Sequence, residues 1–190
     1  ARDEGMHTDF ACLLYSKIVN KIDKKIINQM FTEAVEIERK FVLSSIPKGL
    51  PKLKIKQGYL QSDKNRTVRI RSIINQSNKA TYYITIKGPS NSSGMSRFEY
   101  ESIISNDDAE KLFDLCYLPL IIKNRYIYMY DGMKWELDSF CGDNKGLLIG
   151  EVEIVNENID FEKPEFVIKE VTGNSKYYNS MLQKNPYNNW

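Results

Sequence analysis

Residues 36–40 read Glu36-Ile37-Glu38-Arg39-Lys40. In an extended chain alternate side chains point to opposite sides. Glu36, Glu38 and Lys40 therefore share one face, and Val35, Ile37 and Arg39 share the other. The same period of two returns along the chain. Arg69 and Arg71 stand opposite Val68 and Ile70, and Thr85 and Lys87 opposite Ile84 and Ile86. Arg97, Glu99 and Glu101 oppose Phe98 and Tyr100; Lys123 and Arg125 oppose Asn124 and Tyr126. Glu136 and Asp138 oppose Trp135 and Leu137; Glu151 and Glu153 oppose Val152 and Ile154. One such strand is ordinary, because antiparallel sheets commonly turn a polar face to water. Repetition changes the weighing. Like charges two apart on a strand repel, and here they are segregated by segment, Arg69/Arg71 and Lys123/Arg125 basic, Glu136/Asp138 and Glu151/Glu153 acidic. Carboxylate pairs suit a divalent cation such as Mg2+ or Mn2+, which prefer oxygen ligands. Paired Arg and Lys suit phosphate. If the strands close into a barrel, one set of faces points inward. The charged set then forms an interior for a metal–polyphosphate complex, with the apolar set packed against outer helices.

The chain has 190 residues, with 27 Lys+Arg against 25 Asp+Glu and a formal net charge of +2. This length fits one domain with a real core. The near-zero charge argues against a general nucleic-acid binder. Apolar runs are short, as in Leu118 to Ile122, so no membrane span is expected. The single histidine, His7, nearly excludes chemistry built on a histidine base or a multi-histidine metal site. Cys12, Cys116 and Cys141 are far apart, which points to a reducing compartment and a cytoplasmic location.

Residues 1–34 differ from the rest. Leu14, Ile18, Ile22, Ile26 and Met30 recur every four residues, which predicts a helix over about 10–30. From 35 to 190 the text reads as mainly antiparallel β structure in an α+β domain. Asp131-Gly132 predicts a tight hairpin turn. One helix is predicted from an N-cap at Asn106 through Leu115, and another near Tyr177 to Leu182. Trp135, Phe98, Tyr126 and Ile70 are expected outside the barrel.

The ordered set of motifs resembles the CYTH superfamily, the triphosphate tunnel metalloenzymes, and its compact bacterial-type inorganic triphosphatases. The set is Glu36 to Lys40, Lys56-Gln57-Gly58-Tyr59-Leu60, Thr67 to Arg71, Thr85 to Gly88, Ser96 to Glu101, Ile122 to Tyr126, Trp135 to Asp138, Gly142 to Leu147, Glu151-Val152-Glu153, and Val171 to Asn179. The resemblance implies an eight-stranded β-barrel with a charged through-tunnel and a few outer helices. It implies hydrolysis of a triphosphate, foremost inorganic tripolyphosphate to pyrophosphate and phosphate, with two Mg2+ or Mn2+ ions. Matched by position, Glu36, Glu38, Glu151 and Glu153 would hold metal, with Asp138 a further ligand or a support to one. Lys40, Arg69, Arg71, Lys87, Lys123, Arg125 and Lys176 would line the phosphate path, with Arg97 joining them. Glu99, Glu101 and Glu136 would also face the tunnel. Lys40 and Tyr59 would form a catalytic dyad, and neighbouring cations should lower the Lys40 pKa so that it can act as a base. A class IV-type adenylate cyclase, a thiamine or nucleoside triphosphatase and a polyphosphate binder without turnover stand as alternatives. Dimerisation is left open.

Overall fold

The structure is a computed structural model that describes residues 35–63, 65–92 and 96–190, with only the backbone described at Val35, Glu36 and Ser96. The chain divides into two compact units, Ala1–Val35 and Glu36–Trp190. The extension over 1–34 and the helix expected within it lie outside the described residues.

The second unit is mainly antiparallel sheet: β1 (Val35–Leu43), β2 (Lys52–Ser62), β3 (Thr67–Ile74), β4 (Ala80–Lys87), β5 (Ser96–Ile104), β6 (Tyr117–Tyr130), β7 (Met133–Phe140), β8 (Leu148–Glu153) and β9 (Val167–Glu170). The hydrogen-bonded order is β5-β4-β3-β2-β6-β7-β8-β1-β9, with an additional pairing of β5 on β1. This corrects the expected closed eight-stranded barrel to a nine-stranded sheet. The added strand, β9, joins β1 at Phe41–Leu43 across a register shift between Val42 and Leu43. It covers backbone groups that β1 would otherwise leave unpaired on that edge.

The Asp131-Gly132 hairpin forms as expected between β6 and β7, with both residues at positive φ, 48° and 73°. Helix α1 (Asn106–Asp114) starts one residue earlier than read from sequence, because Ser105 is its N-cap and accepts a hydrogen bond from the Asp108 amide at 3.1 Å. The C-terminal helical stretch is a 3-10 turn (Ser175–Tyr177) followed by helix α2 (Asn179–Lys184).

Three apolar clusters organise the unit. On the outer face of β1, β7 and β8, Phe41, Leu43, Trp135, Leu137 and Val152 are buried together with Ile154. On the outer face of β2 to β4, Ile70, Phe113 and Cys116 pack with Leu60, Tyr82, Ile84 and Leu120. Gly58 makes that contact possible, since a Cβ there would lie 2.7 Å from Cys116 and Leu120 side-chain atoms. Of the residues expected outside, Trp135, Ile70 and Tyr126 belong to these outer clusters, and Phe98 is 41% exposed. The third cluster lies on the other side of the sheet. Ile121, Phe140 and Ile149 pack there against Leu147, Val171, Tyr177 and Leu182 from the connecting and C-terminal segments. These residues share strand parity with Lys123, Asp138 and Glu151, so the inner face is charged over one stretch and apolar over the next. The charged stretch therefore gives way to packed apolar side chains toward one end of these strands.

Candidate triphosphate site

Alternation puts the charges on the inner face, and the register brings them together. Lys40 on β1 pairs with Glu151 on β8; Arg125 on β6 pairs with Asp138 on β7; Glu136 on β7 pairs with Glu151 on β8. Lys40 donates to Glu151 and lies 3.2 Å from Glu38. The Arg125 guanidinium reaches both oxygens of Asp138 at 2.7 and 2.6 Å, Glu151 at 2.6 Å, and Glu136. Lys123 holds Asp138 at 2.5 Å. Side chains from four strands thus form one continuous ion-pair network.

A second network covers β3 to β5. Arg71 meets Glu101 at 2.7 Å, Arg69 lies 3.5 Å from Glu101 and 3.9 Å from Glu99, and Lys87 meets Glu99 at 2.5 Å. Thr85, fully buried, bridges them by accepting from Arg69 at 3.1 Å and donating to Glu101 at 2.7 Å. Lys40, Arg69, Lys87, Lys123 and Arg125 are all 8% exposed or less, although basic side chains are rarely buried.

The electrostatics follow from this crowding. Burial alone would lower the Lys40 pKa, but Glu151 and Glu38 outweigh it and the pKa is raised. This corrects the expectation of a lowered Lys40: its nearest charges are carboxylates, and the ammonium form is held. Burial lowers Lys123 to about 8, with Arg125 adding to the effect and Asp138 opposing it. Burial and Arg69 lower Arg71 to about 10. Arg125 is raised, because Asp138 and Glu151 outweigh its burial. Burial would raise Glu151, yet Lys40, Lys123 and Arg125 hold it well below the usual carboxylate range. Burial pushes the Tyr59 hydroxyl up to about 12, opposed by Arg69, Lys40 and Arg97. Charges on β1, β3 and β5 are therefore all felt at one tyrosine on β2.

The donor set suits a hard cation. Glu38 stands directly opposite Glu153 in the β1–β8 pairing, and Glu136 directly opposite Glu151 in the β7–β8 pairing. Like charges facing across a sheet repel; Arg125 bridges Glu136 and Glu151, Lys40 lies beside Glu38, and such carboxylate oxygens are the ligands a hard divalent cation takes. Among the described residues no three acidic, histidine or cysteine side chains are gathered into a metal-holding group. The physical reason is visible: Glu151 is engaged by Lys40 and Arg125, and both oxygens of Asp138 are engaged by Lys123 and Arg125. The side chain of Glu36 lies outside the described residues. Lys176 is not brought into either network; it is exposed, with its ammonium 3.9 Å from the centre of the Trp190 ring.

Two inner-face residues were named in the sequence only as parts of motifs and were given no role there. Thr85 links the second network. Gln57, fully buried, donates to the Tyr59 hydroxyl at 2.9 Å. Both are neutral, so a search for charge pairs passed over them.

Comparison with known proteins shows two separate likenesses. The family profile described as "Ribonucleotide reductase, small chain" matches residues 1–69, fewer than half of the chain. The small subunit of ribonucleoside-diphosphate reductase from Dictyostelium discoideum is 52% identical over 50 residues, 26% of this chain and 15% of its own length. That likeness was missed in the sequence. The hydrophobic period of residues 10–30 carries no sign of it. Over most of the chain the likeness is different. The inorganic triphosphatase of Acetivibrio thermocellus is 42% identical over 161 residues, 82% of this chain and 97% of its own length. A crystal structure of an inorganic triphosphatase is 30% identical with a TM-score of 0.55, covering 78% of this chain and 93% of that one. The chain carrying this sheet and its two ion-pair networks therefore belongs to the inorganic triphosphatase family of the CYTH superfamily.

Proposed function

We propose that residues 35–190 form a metal-dependent triphosphatase that hydrolyses inorganic tripolyphosphate to pyrophosphate and phosphate. The observation that carries the reading is a set of buried cations, Lys40, Arg69, Lys87, Lys123 and Arg125, with half-buried Arg71 beside them, gathered on one face of a sheet whose other face is apolar. The additional β5–β1 pairing brings the strand that carries Arg97, Glu99 and Glu101 beside the strand that carries Lys40.

Phosphoryl transfer needs positioning and charge neutralisation more than covalent work. In this reading Arg69, Arg71, Lys87, Arg97, Lys123 and Arg125 align the phosphates. Asp138 holds Lys123 and Arg125 in place rather than meeting the substrate. Glu36, Glu38, Glu151 and Glu153 would hold Mg2+ or Mn2+, which when bound supplies charge to phosphate oxygens and acidifies a coordinated water. Lys40, kept as an ammonium by its carboxylate neighbours, stabilises developing negative charge, and the protonated Tyr59 hydroxyl donates a hydrogen bond to a phosphoryl oxygen. Among the described residues the thiols of Cys116 and Cys141 are free, in accord with a reducing, cytoplasmic setting, and no described helix is long and apolar enough to cross a membrane.

The test is phosphate release by the purified chain from tripolyphosphate and from ATP, with Mg2+, with Mn2+ and with chelator. The expected result is release from tripolyphosphate far above that from ATP, abolished by chelation. Tight tripolyphosphate binding without turnover in either metal would replace the enzyme with a polyphosphate-binding protein.

A further inference from the structure

Gln57 is out of place by ordinary packing rules. It is fully buried on the inner face of β2, and its amide oxygen has no hydrogen-bond partner among the described residues. A buried amide without a full set of partners costs stability. The position opposite it on β6 is Ile121, part of the apolar cluster, so a leucine here would extend that cluster at no polar cost. The position opposite it on β3 is Arg71, whose Nε is also buried and without a partner among the described residues. Gln57 thus sits where the apolar floor meets the charged stretch, next to an unused donor.

Its one described hydrogen bond sets the polarity of Tyr59. The Gln57 amide nitrogen donates to the Tyr59 oxygen at 2.9 Å. A phenol has one proton to give. With its oxygen already accepting from Gln57, Tyr59 has its hydroxyl proton left to give elsewhere. The local backbone reinforces this aim. The register of β2 against β3 shifts between Tyr59 and Gln61, and against β6 between Gln57 and Tyr59. Such irregularities re-aim side chains beside functional sites.

We infer that Gln57 is a positioning residue for the reaction, fixing the Tyr59 hydroxyl as a hydrogen-bond donor toward the bound triphosphate. The inference rests on the proposed function, since it assumes a phosphate oxygen in front of Tyr59. It adds a residue and the reason for a direction: Tyr59 gives a hydrogen bond rather than accepting one because the neutral amide of Gln57 already occupies its oxygen. The remaining amide oxygen of Gln57 and the Arg71 Nε–H form a matched acceptor and donor, suited to a water that accompanies the anion.

A double-mutant cycle in the full chain tests it, with Q57L, Y59F, the Q57L/Y59F pair and Q57E. Phosphate release from tripolyphosphate at saturating metal gives kcat and KM, and calorimetry gives tripolyphosphate affinity. Y59F is expected to lower kcat about a hundredfold, the scale of one lost donor to a developing charge. Q57L should lower kcat about tenfold with KM little changed, and the double variant should be no slower than Y59F alone. Q57E should approach the Y59F rate, because an ionised carboxylate makes Tyr59 donate to it. Q57L lowering kcat equally with and without the Tyr59 hydroxyl would overturn the inference and leave Gln57 a packing residue. Wild-type protein that neither turns over nor binds tripolyphosphate would instead overturn the proposed function, and the inference with it.

Discussion

The two faces of β1, β7 and β8 are built from alternate residues of the same strands, and they differ in almost every respect. Outward, Phe41, Trp135, Leu137 and Val152 are at most 1% exposed and pack ring on ring, Phe41 5.2 Å from Trp135 between centroids. Inward, one residue away in each strand, Lys40, Glu136, Asp138 and Glu151 form an ion-pair network with Arg125. The outer face gains from burying apolar area. The inner face takes ions out of water, and buried ion pairs seldom recover that cost by their own attraction. The sheet thus places its stabilising surface outside and its chemical surface inside, the reverse of a globule with an oily centre. Gly150 shows how tightly the outer face is specified, since a Cβ there would meet Leu43 at 3.1 Å and Trp135 at 3.3 Å.

The contrast can be broken hardest from the inside. Arg125→Met should strip Asp138, Glu136 and Glu151 of a shared partner. Its expected cost is about 3–5 kcal/mol of stability, the range for breaking a buried pair, together with at least about a hundredfold loss of phosphate release. Urea denaturation and the phosphate assay read the two separately. An unchanged rate would remove Arg125 from the site.

On the outer face, Trp135→Ala should cost a similar amount of stability, about 3–5 kcal/mol. Turnover per folded molecule at low temperature should stay within about twofold of wild type, because Trp135 touches no inner-face group. A rate loss as large as that of Arg125→Met would mean the two faces are not independent.

The smallest effect concerns an outer ion pair. Arg39 holds Glu170 at 2.5 Å and its hydrogen bond lowers the Glu170 pKa. A carboxylate lowered on folding adds stability above its unfolded pKa and loses it as pH falls through the folded value. Glu170→Gln should therefore flatten the fall in urea midpoint between about pH 5 and pH 3, by less than about 1 kcal/mol for so exposed a pair. An acid limb as steep as wild type would deny the pair any role.

Much of this was legible in the sequence, because alternation in strands is a strict rule. Alternation marked the charged face on which both networks lie, and Asp131-Gly132 located the β6–β7 turn. Other features were hidden for physical reasons. The apolar floor uses Ile121, Phe140 and Ile149, which have the parity of Lys123, Asp138 and Glu151 but lie at the ends of their charged segments. A count of charge pairs stops short of them. Strand β9 has four residues, too few for a periodic signal, and exists because β1 offers it an edge. The Lys40 pKa depends on which neighbours lie nearest in space, and register made those Glu38 and Glu151. The likeness of the first residues to ribonucleotide reductase small chains rests on sequence identity rather than on any hydrophobic period.

The oily stop at one end of the inner face has a kinetic meaning. With cations along one stretch and hydrocarbon along the next, incoming substrate and outgoing pyrophosphate would compete for the same charged length of sheet. A long linear polyphosphate could then lay only part of itself there, with the remainder trailing in solvent.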